Sequence, residues 1–128
     1  VDDFIGTGHT AEKCFQSVNL LDNILNRTMV LALVAQEEGV KCIESFGIKV
    51  YSGEVRKKGI TDYYDVKEAK EKIILMEEIE EKMAIKKEYR FGYGASEALV
   101  TMCRTPNNTF PVFWEEKGNM KLAPFPRG

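Results

Sequence analysis

The chain has 128 residues, enough for one domain with its own core, and 44% hydrophobic with 30% charged residues is the balance of a globular protein. A formal net charge of −2 excludes a general attraction to nucleic acid or anionic membranes, and the chain shows no apolar run of membrane-spanning length and no signal-peptide pattern. Cys14, Cys42 and Cys103 are odd in number and far apart, without a Cys-x-x-Cys spacing, so they predict reduced thiols in a cytoplasmic protein. Asn26 and Asn107 open glycosylation sequons that nothing else in the composition supports.

After Val1 comes Asp2-Asp3-Phe4-Ile5-Gly6-Thr7-Gly8-His9-Thr10. The Gly/Thr stretch can offer backbone N–H groups and hydroxyls to a phosphate, with a helix N-terminus behind it. The two acids in front would repel that phosphate, so they suit sugar hydroxyls or a bound cation. A loop of this kind normally hangs from the end of a buried strand, which predicts that the chain is the C-terminal part of a longer protein. Thr10 is the expected helix N-cap. Residues 11–26 carry Ala11, Cys14, Phe15, Val18, Leu21, Ile24 and Leu25 at helical spacing. Arg27-Thr28 makes a turn, and Met29 to Val34 is a continuous apolar run, the signature of a strand covered on both faces.

Gln36 to Phe46 returns to helical spacing and Gly47 fits the position just past a helix end. Ile48 to Ser52 alternates as a strand, and strand, helix, strand at this spacing predicts a parallel α/β sheet. Arg56-Lys57-Lys58-Gly59 is a basic turn, most simply a solvated one. Asp65-Val66-Lys67-Glu68 has capping-box character and opens a charged helix to about Lys86, with Ala69, Ile73, Leu75, Met76, Ile79, Met83 and Ala84 expected inside. The Glu and Lys residues around them read as a solvated face. Arg90-Phe91-Gly92-Tyr93-Gly94 predicts a loop with close backbone approach. Residues 95–103 fit helix or strand, and a turn near Ser96-Glu97 leading into a strand at 98–102 is favoured. Thr105 to Thr109 is turn chemistry, with left-handed backbone expected at Asn107 or Asn108. Phe110 to Trp114 predicts a final edge strand, and the tail from Glu115 is expected to fray. Tyr93 and Trp114 can stack on a base, but packing is the simpler reading, and His9 is most simply an exposed loop histidine.

Gly6-Thr7-Gly8-His9-Thr10-Ala11 fits G-x-G-x-x-A, yet in a dinucleotide site the ribose acid follows about 20 residues later, whereas here two acids stand before the glycines. A Walker loop is excluded because no Gly-Lys-Ser/Thr follows at the proper spacing. The full string, two acids, two apolar residues, any residue, Thr-Gly, any residue and Thr, resembles the phosphoribosyl pyrophosphate motif of the type I phosphoribosyltransferases. That resemblance implies a three-layer α/β fold with a mainly parallel sheet, incomplete at its N-terminus. Residues 1–114 would be the C-terminal part of such a domain and 115–128 a tail.

By the same resemblance Asp2 and Asp3 hold the ribose, directly or through a water of a Mg²⁺ ion. Gly6, Thr7, Gly8, His9 and Thr10 wrap the 5′-phosphate. The segments Gly92-Tyr93-Gly94, Leu99-Val100 and Thr105 to Trp114 are similar to a bacterial branch of phosphoribosyltransferase-like proteins associated with conflict and anti-phage defence. This implies a base, nucleotide or nucleic acid as acceptor, an oligomer or defence complex as setting, an N-terminal remainder or partner chain, and no membrane. One departure bears on catalysis: several relatives carry an acid where Gly6 stands, as a base toward the purine, and glycine cannot take a proton. A non-catalytic sensor of phosphoribosyl pyrophosphate or nucleotide, or a structural partner, is therefore the rival expectation.

Overall fold

The computed structural model describes residues 1–17, 27–116 and 123–127. Two compact units emerge, Val1–Lys57 and Lys58–Gly128. The second half of the expected first helix, including Val18, Leu21, Ile24 and Leu25, lies outside the described residues.

The first unit is the expected α/β arrangement. Strands β1 (Asp2–Ile5), β2 (Met29–Gln36) and β3 (Lys49–Arg56) form one parallel sheet in that spatial order, with helix α1 (His9–Ser17) after β1 and α2 (Glu37–Glu44) between β2 and β3. The register aligns Ile5 with Ala35 and Gln36 with Arg56, so all three strands end at one edge. The core is Ile5, Ala35, Ile43 and Ile48, against which Ala11, Phe15, Val30, Val40, Phe46 and Val50 pack. α2 places Glu37 and Glu38 in its first turn and Lys41 in its last, the favourable order for the helix dipole. Beyond its C-cap Ser45, Gly47 takes φ +77 and donates to Glu44 O.

β2 departs from expectation. Its apolar run is covered on one face only: Val30, Ala32 and Val34 are half-buried, while Met29, Leu31 and Leu33 are exposed, as are Tyr51 and Val55 on the same face of β3. A run of Val, Leu and Met fits either burial pattern, so periodicity could not decide it.

The second unit is built around helix α3 (Val66–Lys82) and three short 3-10 turns, Lys87–Tyr89, Tyr93–Ala95 and Pro111–Phe113. The Asp65 carboxylate caps α3 by accepting from the N–H groups of Lys67 and Glu68, both at 2.9 Å. The inward stripe is Ala69, Ile73, Met76 and Glu80. Leu75 and Ile79, expected inside, sit on the neighbouring stripe and are exposed. Ile60, Ala69 and Phe110 form one buried cluster of this unit.

α3 stops earlier than its charge pattern suggests. Ala84 turns left-handed at φ +54, the Ile85 N–H reaches back to Glu80 O and the Ala84 N–H to Glu81 O. This is a Schellman ending with alanine where glycine is usual. Ala84→Gly should therefore stabilise the protein by about 1 kcal/mol, read as a raised urea midpoint with unchanged slope. An unchanged or lowered midpoint would mean that the left-handed turn carries no strain.

The two expected strands at 98–102 and 110–114 do not form. Only Ala98 bridges to Thr109, and Pro111–Phe113 is a 3-10 turn with proline at its start. Tertiary bonds dictate this: the Trp114 indole N–H donates to Thr109 O at 2.7 Å, the Thr109 hydroxyl donates to Val100 O, and Phe110 is 1% exposed. Left-handed backbone falls on Phe91, Ala95 and Glu97, whereas both asparagines keep negative φ. The described tail residues 123–127 are held in place where fraying was expected. Phe125 N–H donates to Phe113 O at 2.8 Å, Thr105 Oγ1 to Phe125 O at 3.1 Å, and Arg127 lies over the Trp114 ring.

Candidate functional site

The C-terminal edge of a parallel sheet is where such folds bind ligands, because the strand-to-helix turns leave helix N-termini facing outward there. At this edge β1 runs into the turn Gly6-Thr7-Gly8 and directly into α1. Gly8 has φ +80, and its carbonyl accepts from the Glu12 N–H at 2.9 Å. That bond makes Gly8, rather than Thr10, the N-cap of α1. Thr10 sits in the first turn, where the N–H groups of His9, Thr10 and Ala11 have no partner within the helix. They open onto the same side as the turn, with the positive end of the helix dipole behind them. Gly6 and Gly8 are buried, Thr7 is half-buried, and His9 and Thr10 are exposed.

The turn rests on α2. A β-carbon built on Gly39 would lie 2.1 Å from the Gly6 carbonyl oxygen and 2.8 Å from Ile5 Cγ2, and one built on Gly8 would lie 2.9 Å from Cys42 Cβ. Neither glycine tolerates a side chain without displacing backbone or helix. The sequence marked Cys42 only as a reduced thiol and did not single out Gly39, because a helical glycine and a half-buried cysteine carry no spacing signal for a contact 33 or 34 residues away.

Charge around the turn is mixed. His9 Nδ1 lies 3.1 Å from Glu12 Oε2, and Lys41 Nζ lies 3.6 Å from Glu37 Oε2, so two of the nearby acids have basic partners. Burial pushes the Cys42 thiol above its ordinary range, and the carboxylates of Glu12 and Glu38 push it further. This environment disfavours the thiolate at Cys42. Arg56 ends β3 at this same edge and pairs loosely with Glu54 at 3.7 Å, while Lys58 belongs to the second unit, where its Nζ donates to Ala95 O. The basic turn is thus divided in its partners and does not act as one cluster.

Asp2 and Asp3 lie on β1 itself, both exposed, with the Asp3 N–H donating to Asp2 Oδ1 at 2.9 Å. Successive strand residues face opposite ways. Asp2 shares the face of Phe4, and Asp3 that of Ile5. The structure therefore brings together the turn and the start of α1, whereas the two acids leave the strand on opposite faces. Among the described residues no group of three or more His, Cys, Asp or Glu side chains could hold a metal ion. A single exposed carboxylate is compatible with Mg²⁺, which retains waters and takes one or two carboxylates alongside substrate phosphates.

Tyr93 is partly exposed in the second unit, but Trp114 is buried, with its N–H bonded and the Tyr89 ring edge-on at 6.3 Å. Trp114 is core. Among the described residues no helix is long and apolar enough to cross a membrane. No curated protein and no solved structure matches this chain. A family model described as PRTase-CE, whose first element abbreviates phosphoribosyltransferase, matches residues 1–127, and the chain accordingly belongs to this family of phosphoribosyltransferase type.

Proposed function

We propose that the protein binds phosphoribosyl pyrophosphate and transfers its phosphoribosyl group to a base, nucleotide or nucleic-acid acceptor. The supporting observation is the left-handed Gly8 turn, which joins an acid-bearing strand to a helix N-terminus at the C-terminal edge of a parallel sheet. The 5′-phosphate takes N–H groups from the turn and the first turn of α1, with the Thr7 and Thr10 hydroxyls adding bonds. His9 stands at the rim. The ribose hydroxyls donate to the carboxylates. Because Asp2 and Asp3 leave β1 on opposite faces, one makes the direct contact and the other acts through water or a Mg²⁺ ion.

Bound Mg²⁺ would neutralise charge on the diphosphate and so assist its departure from the anomeric carbon. The chain's own share is positioning: the turn fixes one end of the sugar phosphate, the acids fix the ring, and the acceptor meets a carbon already oriented for attack. Gly6 supplies no base, so the acceptor must arrive deprotonated or lose its proton to another group. That same glycine favours the second reading, a sensor that binds phosphoribosyl pyrophosphate without turning it over. The likeness of residues 92–94, 99–100 and 105–114 to the conflict-associated branch supports an effector role in bacterial defence.

Calorimetry on the full chain with phosphoribosyl pyrophosphate and Mg²⁺ tests the site. The Asp2→Asn, Asp3→Asn double variant should bind at least about tenfold more weakly, the loss of one direct charged hydrogen bond at about 1.5 kcal/mol. Affinity that survives the double change would remove both acids from the site. Release of pyrophosphate on adding candidate acceptors then separates transferase from sensor.

A further inference from the structure

The contact between α2 and the Gly6-Thr7-Gly8 turn carries more than packing. A β-carbon on Gly39 would stand 2.1 Å from the Gly6 carbonyl oxygen but 3.1 Å from the Gly6 carbonyl carbon. The carbonyl bond is about 1.2 Å long, so the oxygen is the nearer atom and is turned toward α2. In a trans peptide the N–H is antiparallel to the C=O. The Thr7 N–H is therefore turned to the side away from α2. Gly8 is hemmed in by the same helix: a β-carbon there would lie 2.9 Å from Cys42 Cβ, one turn beyond Gly39, and 3.1 Å from the Gly39 carbonyl oxygen.

We infer that Gly39 and Cys42 are positioning residues for the phosphate turn: α2 acts as a template that sets the Gly6–Thr7 peptide plane and aims the Thr7 N–H at the bound phosphate. The inference rests on the reading that this turn takes the 5′-phosphate. It adds a requirement that the motif does not contain, since both residues lie well downstream of it, on α2. Bare Cα at Gly39 lets the carbonyl approach this close. Any side chain there pushes the Gly6 oxygen aside, and the rigid peptide carries the Thr7 N–H with it. Gly39 would otherwise be an unfavourable choice within a helix, where alanine is the better former. A glycine in a helix against propensity, where the Gly6 carbonyl meets it, fits this role.

The test uses the isotopically labelled full chain and inorganic phosphate, followed at the Thr7 amide by NMR. In the wild type the Thr7 resonance should move saturably as phosphate is added. Gly39→Ala should weaken that response at least tenfold and shift the Thr7 amide even without phosphate. Gly47→Ala, at the far end of α2 where a β-carbon meets open space, should lower the melting temperature through its φ of +77 yet leave the phosphate response intact. Should Gly39→Ala fail to fold, Cys42→Val, which crowds Gly8 from the same helix, gives the same readout against Cys42→Ser. A phosphate response identical in the wild type and the crowding variant overturns the inference, as does a Thr7 amide that ignores phosphate altogether. Failure of the wider reading looks different: phosphate still moves Thr7, and Gly39→Ala still blunts it, while phosphoribosyl pyrophosphate binds no better than phosphate.

Discussion

Glu80→Gln should make the protein more stable than the wild type at pH 8, by on the order of 3 kcal/mol, and by less than about 1 kcal/mol at pH 5. The Glu80 side chain is fully buried on the inward stripe of α3. Its Oε2 accepts the Phe91 N–H at 2.8 Å, and its Oε1 has no hydrogen-bond partner among the described residues. Burial pushes its pKa up to about 7, against the opposing pull of the Phe91 N–H and Arg90, and Glu77 adds to the rise. An acid with a raised folded pKa favours folding while it is neutral. Below about pH 4.5 both folded and unfolded chains hold the proton, and nothing is lost. Between about 4.5 and 7 the unfolded chain releases its proton first, so stability falls as pH rises, and it levels off above 7.

Glutamine keeps the acceptor for Phe91 and never ionises. Other titrating groups are common to both proteins and cancel in the difference. Urea unfolding at the two pH values is the measurement, and the gap should widen by about 2–3 kcal/mol from pH 5 to pH 8. A gap that does not change with pH would show that Glu80 is hydrated and ionised in the folded state. The exposed ion pairs of Arg90 with Glu77 and Glu81, at 3.8 Å and 2.8 Å, add little to the balance, as surface pairs generally do.

Glu80 also shows where sequence reading stops. Its helix was legible from its charge pattern and from the Asp65 cap, and the strand-helix-strand order of the first unit was legible from hydrophobic period and length. Which of the many glutamates on that helix faces inward was not, because the stripe is chosen by Ile60 and Phe110, residues on other segments. The same division runs through the candidate site. The motif from Asp2 to Thr10 stands out in the sequence because it is local, all within nine consecutive residues. The opposite facing of Asp2 and Asp3 became visible only when β1 proved to be an extended strand in register with β2. Gly39 came from a contact that no local pattern encodes. Strand propensity misled at Phe110 to Trp114, where an indole N–H and a buried threonine settle the backbone.

The second large effect is expected at Glu97, which closes the start of the second unit. Its main-chain carbonyl accepts the Gly59 N–H at 2.8 Å. Its carboxylate accepts the N–H groups of Ile60 at 2.9 Å and Thr61 at 2.8 Å, and the Thr61 hydroxyl as well. The residue is 5% exposed, so no water readily replaces those bonds. It achieves this reach with φ at +51, in the left-handed region that a side chain occupies at a cost of about 1 kcal/mol. Glu97→Ala removes the acceptor and keeps the strain, leaving three donors without their partner. The loss should be about 4 kcal/mol, well above the usual range for a single substitution.

Glu97→Gly removes the same acceptor but relieves the backbone, so it should lose about 1 kcal/mol less than the alanine variant. Glu97→Gln retains one carbonyl acceptor for the Ile60 and Thr61 N–H groups and should fall between wild type and glycine. The order wild type, Gln, Gly, Ala in urea midpoint is the expected result. An alanine variant more stable than the glycine variant would show that the backbone at 97 is not held left-handed in solution. A loss near zero in all three would mean that the 59–61 turn is secured by something other than this carboxylate. The order has a physical meaning beyond Glu97, because Phe91 and Ala95 share its left-handed backbone within the same short segment. Three such residues so close together stay in place only while bonds like those of Glu97 hold the segment, and cutting them should release the strain at all three.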